Sequence, residues 1–515
     1  TALGYDTSGN LLTVTDPGGR VYTFTWTGTH ITKVITAAGQ EVDYVYSAAG
    51  DLTDVYGVGT TRTNGVNGDQ DHAQYQYNSK HLMTSERTPA NYGKTSTPTP
   101  VTGMVYDASD RVTTQTDPMG NVTKFTYGPD STAGITAGQT LVTDPVGHKN
   151  LYTYQNGLLT SMTKGWGATG ASTWSYAYDP ITLGVAVQTN PDGTTQTYAY
   201  DDHGRKISSS DGLGRTTSYQ YDAAGNVTKT VDPTGLQTAT VYNAAEKPTS
   251  VTVFTGTQPA ESANDTLNPS YARASSTTYG DAAHPGEATG ATNANQHTTT
   301  YAYDAFGDLI TQTDAASNVT KYGYDTGHGW RTSTVTPIGV AAGITTSCTP
   351  PAKGCTTYQH DAYGHVTVTT DPLGHTVKAS FDADGNQLTA TDGNNHTTTT
   401  TYDNADRPIK VQKPSTDAST TTYNGDGTVQ KTTDAASHAT SYTYDAQARV
   451  LTSTNPDNKT TTYTYDSMGR LKTTTMPDSS VATQTWDNAG QLTGISYSGT
   501  STPAVTYAYD RDGRR

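Results

Sequence analysis

One spacing governs this chain. Taking the residue before a recurring aspartate as an anchor, the series from His360 runs Phe381, Tyr402, Tyr423, Tyr444, Tyr465 and Trp486, in steps of 21 residues. Tyr200, Tyr221 and Tyr242 keep that step, as do Tyr303 with Tyr324, Tyr106 with Tyr127 and Tyr5 with Trp26. Looser copies sit at Tyr46, Tyr77, Tyr154, Tyr178, Tyr279 and Tyr509, giving about 22 units. A chain of 515 residues would ordinarily be divided into several domains, but a fixed internal period makes it one repeat array.

Within a unit, threonine and tyrosine alternate, as in "TTTYTYD" and "TTTYAYD". Alternate residues of a strand share a face, so Tyr463 and Tyr465 point the same way. A turn follows, with glycine usually four residues after the anchor: Gly204, Gly225, Gly307, Gly364, Gly385, Gly469 and Gly490. Glycine tolerates the positive φ that a type I turn followed by a bulge needs. A return strand such as "NVTKTV" leads to a second turn eleven residues after the anchor. That turn reads D-P-x-G at Asp16, Asp117, Asp232 and Asp371, where proline presets φ at the second position.

Each unit is therefore predicted to be one β-hairpin, and the chain an all-β, continuous antiparallel ribbon. Long sheets twist, so the ribbon should coil into a hollow spiral shell or solenoid. Composition fits a thin wall wetted on both faces, with 36 Tyr against 5 Phe and a mean hydropathy of -0.64. Aromatic residues at regular intervals and only 15% charged residues separate it from a disordered chain.

The pattern Y-x-Y-D-x-x-G-R-L-x-x-x-x-D-P-x-G resembles the Rhs/YD-repeat family over essentially the whole chain. Copies include "YAYDDHGRKISSSDGLGR" (198–215), "YQYDAAGNVTKTVDPTG" (219–235) and "YTYDSMGRLK" (463–472). The resemblance implies a β-sheet spiralling into a large hollow shell, as in insecticidal Tc toxin cocoons, bacterial polymorphic toxins and teneurins. In toxin members the shell holds a toxic C-terminal segment and carries a self-cleaving core-end region. No such signature follows Tyr509, so no cleaving aspartate is assigned, and the array reads as residues 1–515 cut from something longer at both ends.

Two functions compete. The first is a non-enzymatic, secreted or cell-surface shell around a C-terminal toxin or other cargo of the same polypeptide. The second is an extracellular fibre or adhesin whose tyrosine and threonine rows bind glycans or further copies of the chain, using an unpaired edge strand.

The remaining signals are weaker. The net charge of -16 shows no basic stripe for nucleic acid, and no apolar run is long enough to span a membrane. The ruler slips near 51–104, 128–174, 252–297 and 325–357, where insertions should form loops. Cys348 and Cys355 bracket "TPPAKG" and form a candidate disulfide. Two free thiols, or zinc with His360 and His365, are the other readings. "DADGN" at Asp382 opens like a calcium loop, but Gly393 stands where the bidentate glutamate belongs, so it reads as a turn. Catalytic motifs are absent, and no cofactor is implied. The residues that matter are the anchors and turn glycines, in an architectural role.

Overall fold

The computed structural model describes residues 2–15, 21–36, 39, 41–57, 72–91, 101–168, 171–254, 272–325, 328–361, 364–415, 417–445, 447–466, 469–487, 490–499 and 501–508. Asp16 and Tyr509, and residues 58–71, 92–100 and 255–271 of the predicted insertions, lie outside them. The 43 strands among the described residues belong to one sheet. Strands consecutive in sequence pair antiparallel, as Thr195–Tyr200 does with Lys206–Ser210, and Lys206–Ser210 with Thr216–Tyr221.

The period of 21 follows from this layout. A six-residue strand, Thr195–Tyr200, and a five-residue strand, Lys206–Ser210, alternate with two five-residue turns, 201–205 and 211–215. The sequence reading gave the two turns different designs, but they share one. Asp201 N–H donates to Arg205 O (2.9 Å) and Gly204 N–H to Asp201 O (3.0 Å). Asp211 N–H likewise donates to Arg215 O (3.1 Å) and Gly214 N–H to Asp211 O (2.8 Å). The aspartate side chain caps each turn. Asp201 Oδ1 accepts from His203 N–H (3.0 Å) and Arg205 N–H (2.9 Å), and Oδ2 accepts from Arg205 Nε (2.7 Å). Proline is thus an accessory of the D-P-x-G turn. The capping carboxylate and the positive φ at the fourth residue define it.

That fourth residue takes φ between 58° and 95° among the described residues, and several occupants are not glycine. Ala448 sits there at φ 61°. The left-handed region costs an L-residue about 1–2 kcal/mol, so Ala448→Gly is expected to stabilise the chain by about 1 kcal/mol. Chemical denaturation of the two proteins checks this.

A bulge breaks the register just before each anchor. Thr443 pairs with Thr452, but Tyr444 pairs with Val450, leaving Leu451 as the extra residue. Where threonine fills this position its hydroxyl bonds the partner strand, as Thr228 Oγ1 does to Gln220 O (3.3 Å). The N-x-T step at Asn226 is therefore architectural: Asn226 Nδ2 donates to Asp222 Oδ2 (3.0 Å), and Thr228 fills the bulge.

Thr460–Tyr465 alternates exposed threonines with half-buried Thr461, Tyr463 and Tyr465. Among the described residues few apolar side chains are buried, and one small cluster joins Ile135, Leu141 and Leu151 with Trp166 packed against it. The sheet is one layer thick, and it is stabilised by ladder hydrogen bonds and paired side chains rather than by a filled core.

By contacts the chain forms two compact units, residues 1–124 with 277–416 and residues 125–276 with 417–515. Within each, the ribbon runs past itself, and a second-turn edge meets a first-turn edge. In the unit containing residues 125–276, Arg215 donates to Asp487 O (3.3 Å, 272 residues apart) and Arg449 to Asp192 Oδ2 (3.5 Å, 257 residues apart). In the unit containing residues 1–124, Asn91 Nδ2 donates to Ala383 O (3.4 Å, 292 residues apart). Coiling was legible from sheet twist, but these seam residues were not, because the repeat pattern carries no signal for which units meet.

Candidate functional site

The first-turn edge is where the anchors act. Tyr465 reaches back across the neighbouring strand and donates its hydroxyl to Val450 O (2.8 Å). The same bond spans fifteen residues where it joins Tyr200 to Val185 O, Tyr221 to Lys206 O, Tyr303 to Ala288 O, Tyr324 to Leu309 O, Tyr402 to Gln387 O and Tyr444 to Val429 O, and 23 and 19 residues at Tyr106 and Tyr178. Trp486 substitutes its indole N–H, 2.9 Å from Leu471 O. In these fifteen-residue bonds, except at Ala288, which precedes the strand Gly290–Thr292, the acceptor is the first residue of the return strand, beside the bulge. The anchor thus supplies a donor where the ladder is irregular, which explains why tyrosine and tryptophan dominate. Burial pushes the Tyr444 and Tyr465 phenols above their ordinary value, so they remain donors.

The last residue of the first turn completes the set. Arg449 binds Asp445 Oδ2 through Nε (2.6 Å) and lays its guanidinium 4.8 Å from the Tyr465 ring centre. Arg205 does the same with Asp201 and Tyr221, and Arg470 with Asp466 and Trp486. Arg470 Nη1 also donates to Asp487 O (3.1 Å). At Phe381, which has no hydroxyl, His365 takes this place and stacks on the ring at 4.4 Å. The anchor, the capping aspartate and this stacking residue tie each hairpin to the next. The repeat pattern hides the stacking role because Arg, His and Asn all occupy the position; the G-R step in several turns is the available signal.

The predicted turn glycines Gly204, Gly225, Gly307, Gly364, Gly385, Gly469 and Gly490 have φ between 76° and 95°. Cys348 and Cys355 are joined by a disulfide, which removes both sulfurs from the zinc reading. They close an insertion, with the short helix Pro337–Ala341, over the face opposite Tyr322 and Tyr324. Val335 and Cys355 are fully buried beneath it, and the Ser333 hydroxyl donates to Thr346 O.

Three capping carboxylates show how the turns favour the ionised form. The Asn226 side chain keeps Asp222 below the usual carboxylate range, and the His375 side chain does so for Asp371. Backbone N–H donation from Arg111 does so for Asp107. A carboxyl whose folded value is lowered stabilises the fold above its unfolded value near pH 4, and loses that contribution as pH falls through the lower folded value. The protein is expected to hold its stability from neutrality to about pH 4 with respect to these turns and to unfold progressively below it. Circular dichroism followed from pH 5 to pH 2 checks this.

Other clusters offer little chemistry. Asp201, Asp202 and His203 bring ligand atoms within 4.8 Å of one another, but they belong to one turn whose aspartate caps its own backbone. An open groove near His30 and Tyr46 contains Lys33 already paired with Glu41 and Asp43. No helix among the described residues is long and apolar enough to cross a membrane.

A repeat-built, single-layer β-ribbon with tyrosine-tied hairpins defines the class of protein. Comparison with family models then names the family. The RHS repeat model matches residues 5–40, 106–130, 207–237, 221–258 and 303–340, and the teneurin YD-shell model matches residues 375–507. The chain is an RHS/YD-repeat protein. Among solved structures it is similar to TcdB2-TccC3, with a TM-score of 0.50, 13% identity, and coverage of 100% of this chain and 36% of that one. A second, TcdB2-TccC3-TEV, gives a TM-score of 0.50 and 14% identity, with 100% of this chain and 28% of that one covered. At such identity the likeness concerns the fold alone, and the chain spans about a third of those chains or less. No curated protein sequence matches it.

Proposed function

We propose that this chain is a wall segment of a secreted or surface-exposed RHS/YD-repeat shell, non-enzymatic in itself, that encloses a toxin or other cargo carried by the same polypeptide outside these residues. The observation that carries this reading is the seam within each unit. A ribbon whose second-turn edge meets its own first-turn edge is building a continuous wall. Fold similarity to TcdB2-TccC3 across the whole chain supports it. The anchors Tyr200, Tyr221, Tyr303, Tyr324, Phe381, Tyr402, Tyr423, Tyr444, Tyr465 and Trp486 and the turn glycines are assigned an architectural role, and the Cys348–Cys355 loop a local clamp. A disulfide accords with an oxidising, extracellular location. The rival, a fibre or glycan-binding adhesin, would use an unpaired edge strand or the tyrosine and threonine rows, and no contact comparable to the seams favours it.

Protease protection tests the proposal on the full native polypeptide. A segment that resists digestion while the wall is folded, and is degraded once it is unfolded, is the expected result. Equal digestion of every non-repeat segment in both states would contradict enclosure.

A further inference from the structure

The seams of the two units differ in charge. In the unit containing residues 125–276, a guanidinium stands at the contact: Arg449 faces Asp192, and Arg215 reaches the Asp487 carbonyl. In the other unit the first-turn edge presents the turn 382–386, and the second-turn edge brings Asn91 and the Asp117 turn to it. Asn91 is almost wholly buried there and donates to Ala383 O.

The next residue is Asp384. Its backbone N–H is satisfied by Asp382 Oδ1 (3.0 Å), but its side-chain Oδ2 is buried with no hydrogen-bond partner. The charged groups acting on it are carboxylates: Asp117 from across the seam, Asp406 from the adjacent first turn, and Asp382 from its own. Asp406 and Asp382 are bridged by Asn386, whose Nδ2 lies 2.7 Å from Asp406 Oδ1 and 3.1 Å from Asp382 Oδ2. His365 packs against this turn at Gly385, with its Nδ1 directed to Asp361 (3.1 Å). Arg87 lies behind Asn91 and donates to its carbonyl oxygen (2.9 Å). A buried carboxylate without a donor, among like charges, favours its neutral form.

We propose that the Asp384 turn is a proton-operated latch: with its carboxyl neutral, the Asn91 and Asp117 edge stays seated on residues 382–386, and ionisation loosens that seating. This deepens the wall reading, because it makes one seam of the wall respond to pH, but it rests on the seam alone and holds whatever the wall encloses.

Burial, with Asp117, Asp406 and Asp382 adding to it, pushes the Asp384 carboxyl up to about 7. An opened seam returns it to the ordinary range near 4. Opening therefore releases a proton between those values, and the open fraction grows as pH rises from about 4 to about 7 and is constant above that. The direction is opposite to that of the capping aspartates, whose effect is confined to pH below about 4.

Hydrogen exchange of the full chain at pH 5, 6, 7 and 8, corrected for intrinsic exchange rates, tests the latch. Amides of residues 117–121 and 382–386 are expected to open up to about tenfold more per pH unit between 5 and 7, and to level off above 7. Asp384→Asn keeps the shape and removes the proton, so its opening should not change over this range. Asp117→Asn should move the levelling point to lower pH. All histidines remain in both variants, so a pH dependence shared by wild type and Asp384→Asn would assign the effect to His365 or another group and overturn the proposal. Opening independent of pH in the wild type would overturn it as well.

Discussion

Tyr444→Ala is expected to lower the stability of its neighbourhood by about 3 kcal/mol. The substitution removes a half-buried ring and the hydroxyl bond to Val429 O (2.8 Å), leaving that carbonyl beside a bulge without its donor. Tyr444→Phe separates the two contributions, and it should cost about 1 kcal/mol for the hydrogen bond alone. Repeat arrays transmit such damage mainly to their neighbours, so the loss should appear as faster hydrogen exchange in the strands Ala418–Tyr423 to Thr460–Tyr465, not as global unfolding. Uniform loss of protection along the chain, or none in these strands, would contradict the tie between hairpins.

Gly323→Ala should be of similar severity for a different reason. A methyl group at this position would collide with the Thr346 carbonyl and the Ser333 hydroxyl, two groups that bond each other. Because Thr346 belongs to the backbone of the disulfide-closed insertion, the insertion must lift from the sheet and expose Val335 and Cys355. Overpacking of this kind costs about 3 kcal/mol. Limited proteolysis should then cut between residues 336 and 354 in the variant but not in the wild type. Gly204→Ala is the contrasting control: its new methyl meets nothing closer than Thr182 at 3.9 Å, so only the positive φ of 76° is penalised, at about 1–2 kcal/mol.

The fold was legible because its signal is repeated. A tyrosine every 21 residues, alternation before it and a glycine four residues after it specify strand, turn and register together. What stayed hidden depends on contacts that a periodic pattern does not encode. The second turn looked distinct because proline is conspicuous in D-P-x-G, yet the structure uses the aspartate cap and positive φ common to both turns. The anchor reads in the sequence as one member of an aromatic face, and its reach to a carbonyl fifteen residues back depends on the bulge, which only the register reveals. Arg449 illustrates the same limit twice: its stacking on Tyr465 is local and inferable from G-R turns elsewhere, but its contact with Asp192 requires the coil. Asp384 reads as one more turn residue until Asp117 is brought to it.

Electron-microscope images of the full native polypeptide test the central claim most directly. The account predicts closed, hollow particles of uniform size, with internal density, whose wall is one sheet thick. Long fibres with a regular axial repeat would contradict it and make the chain an extracellular structural polymer or adhesin.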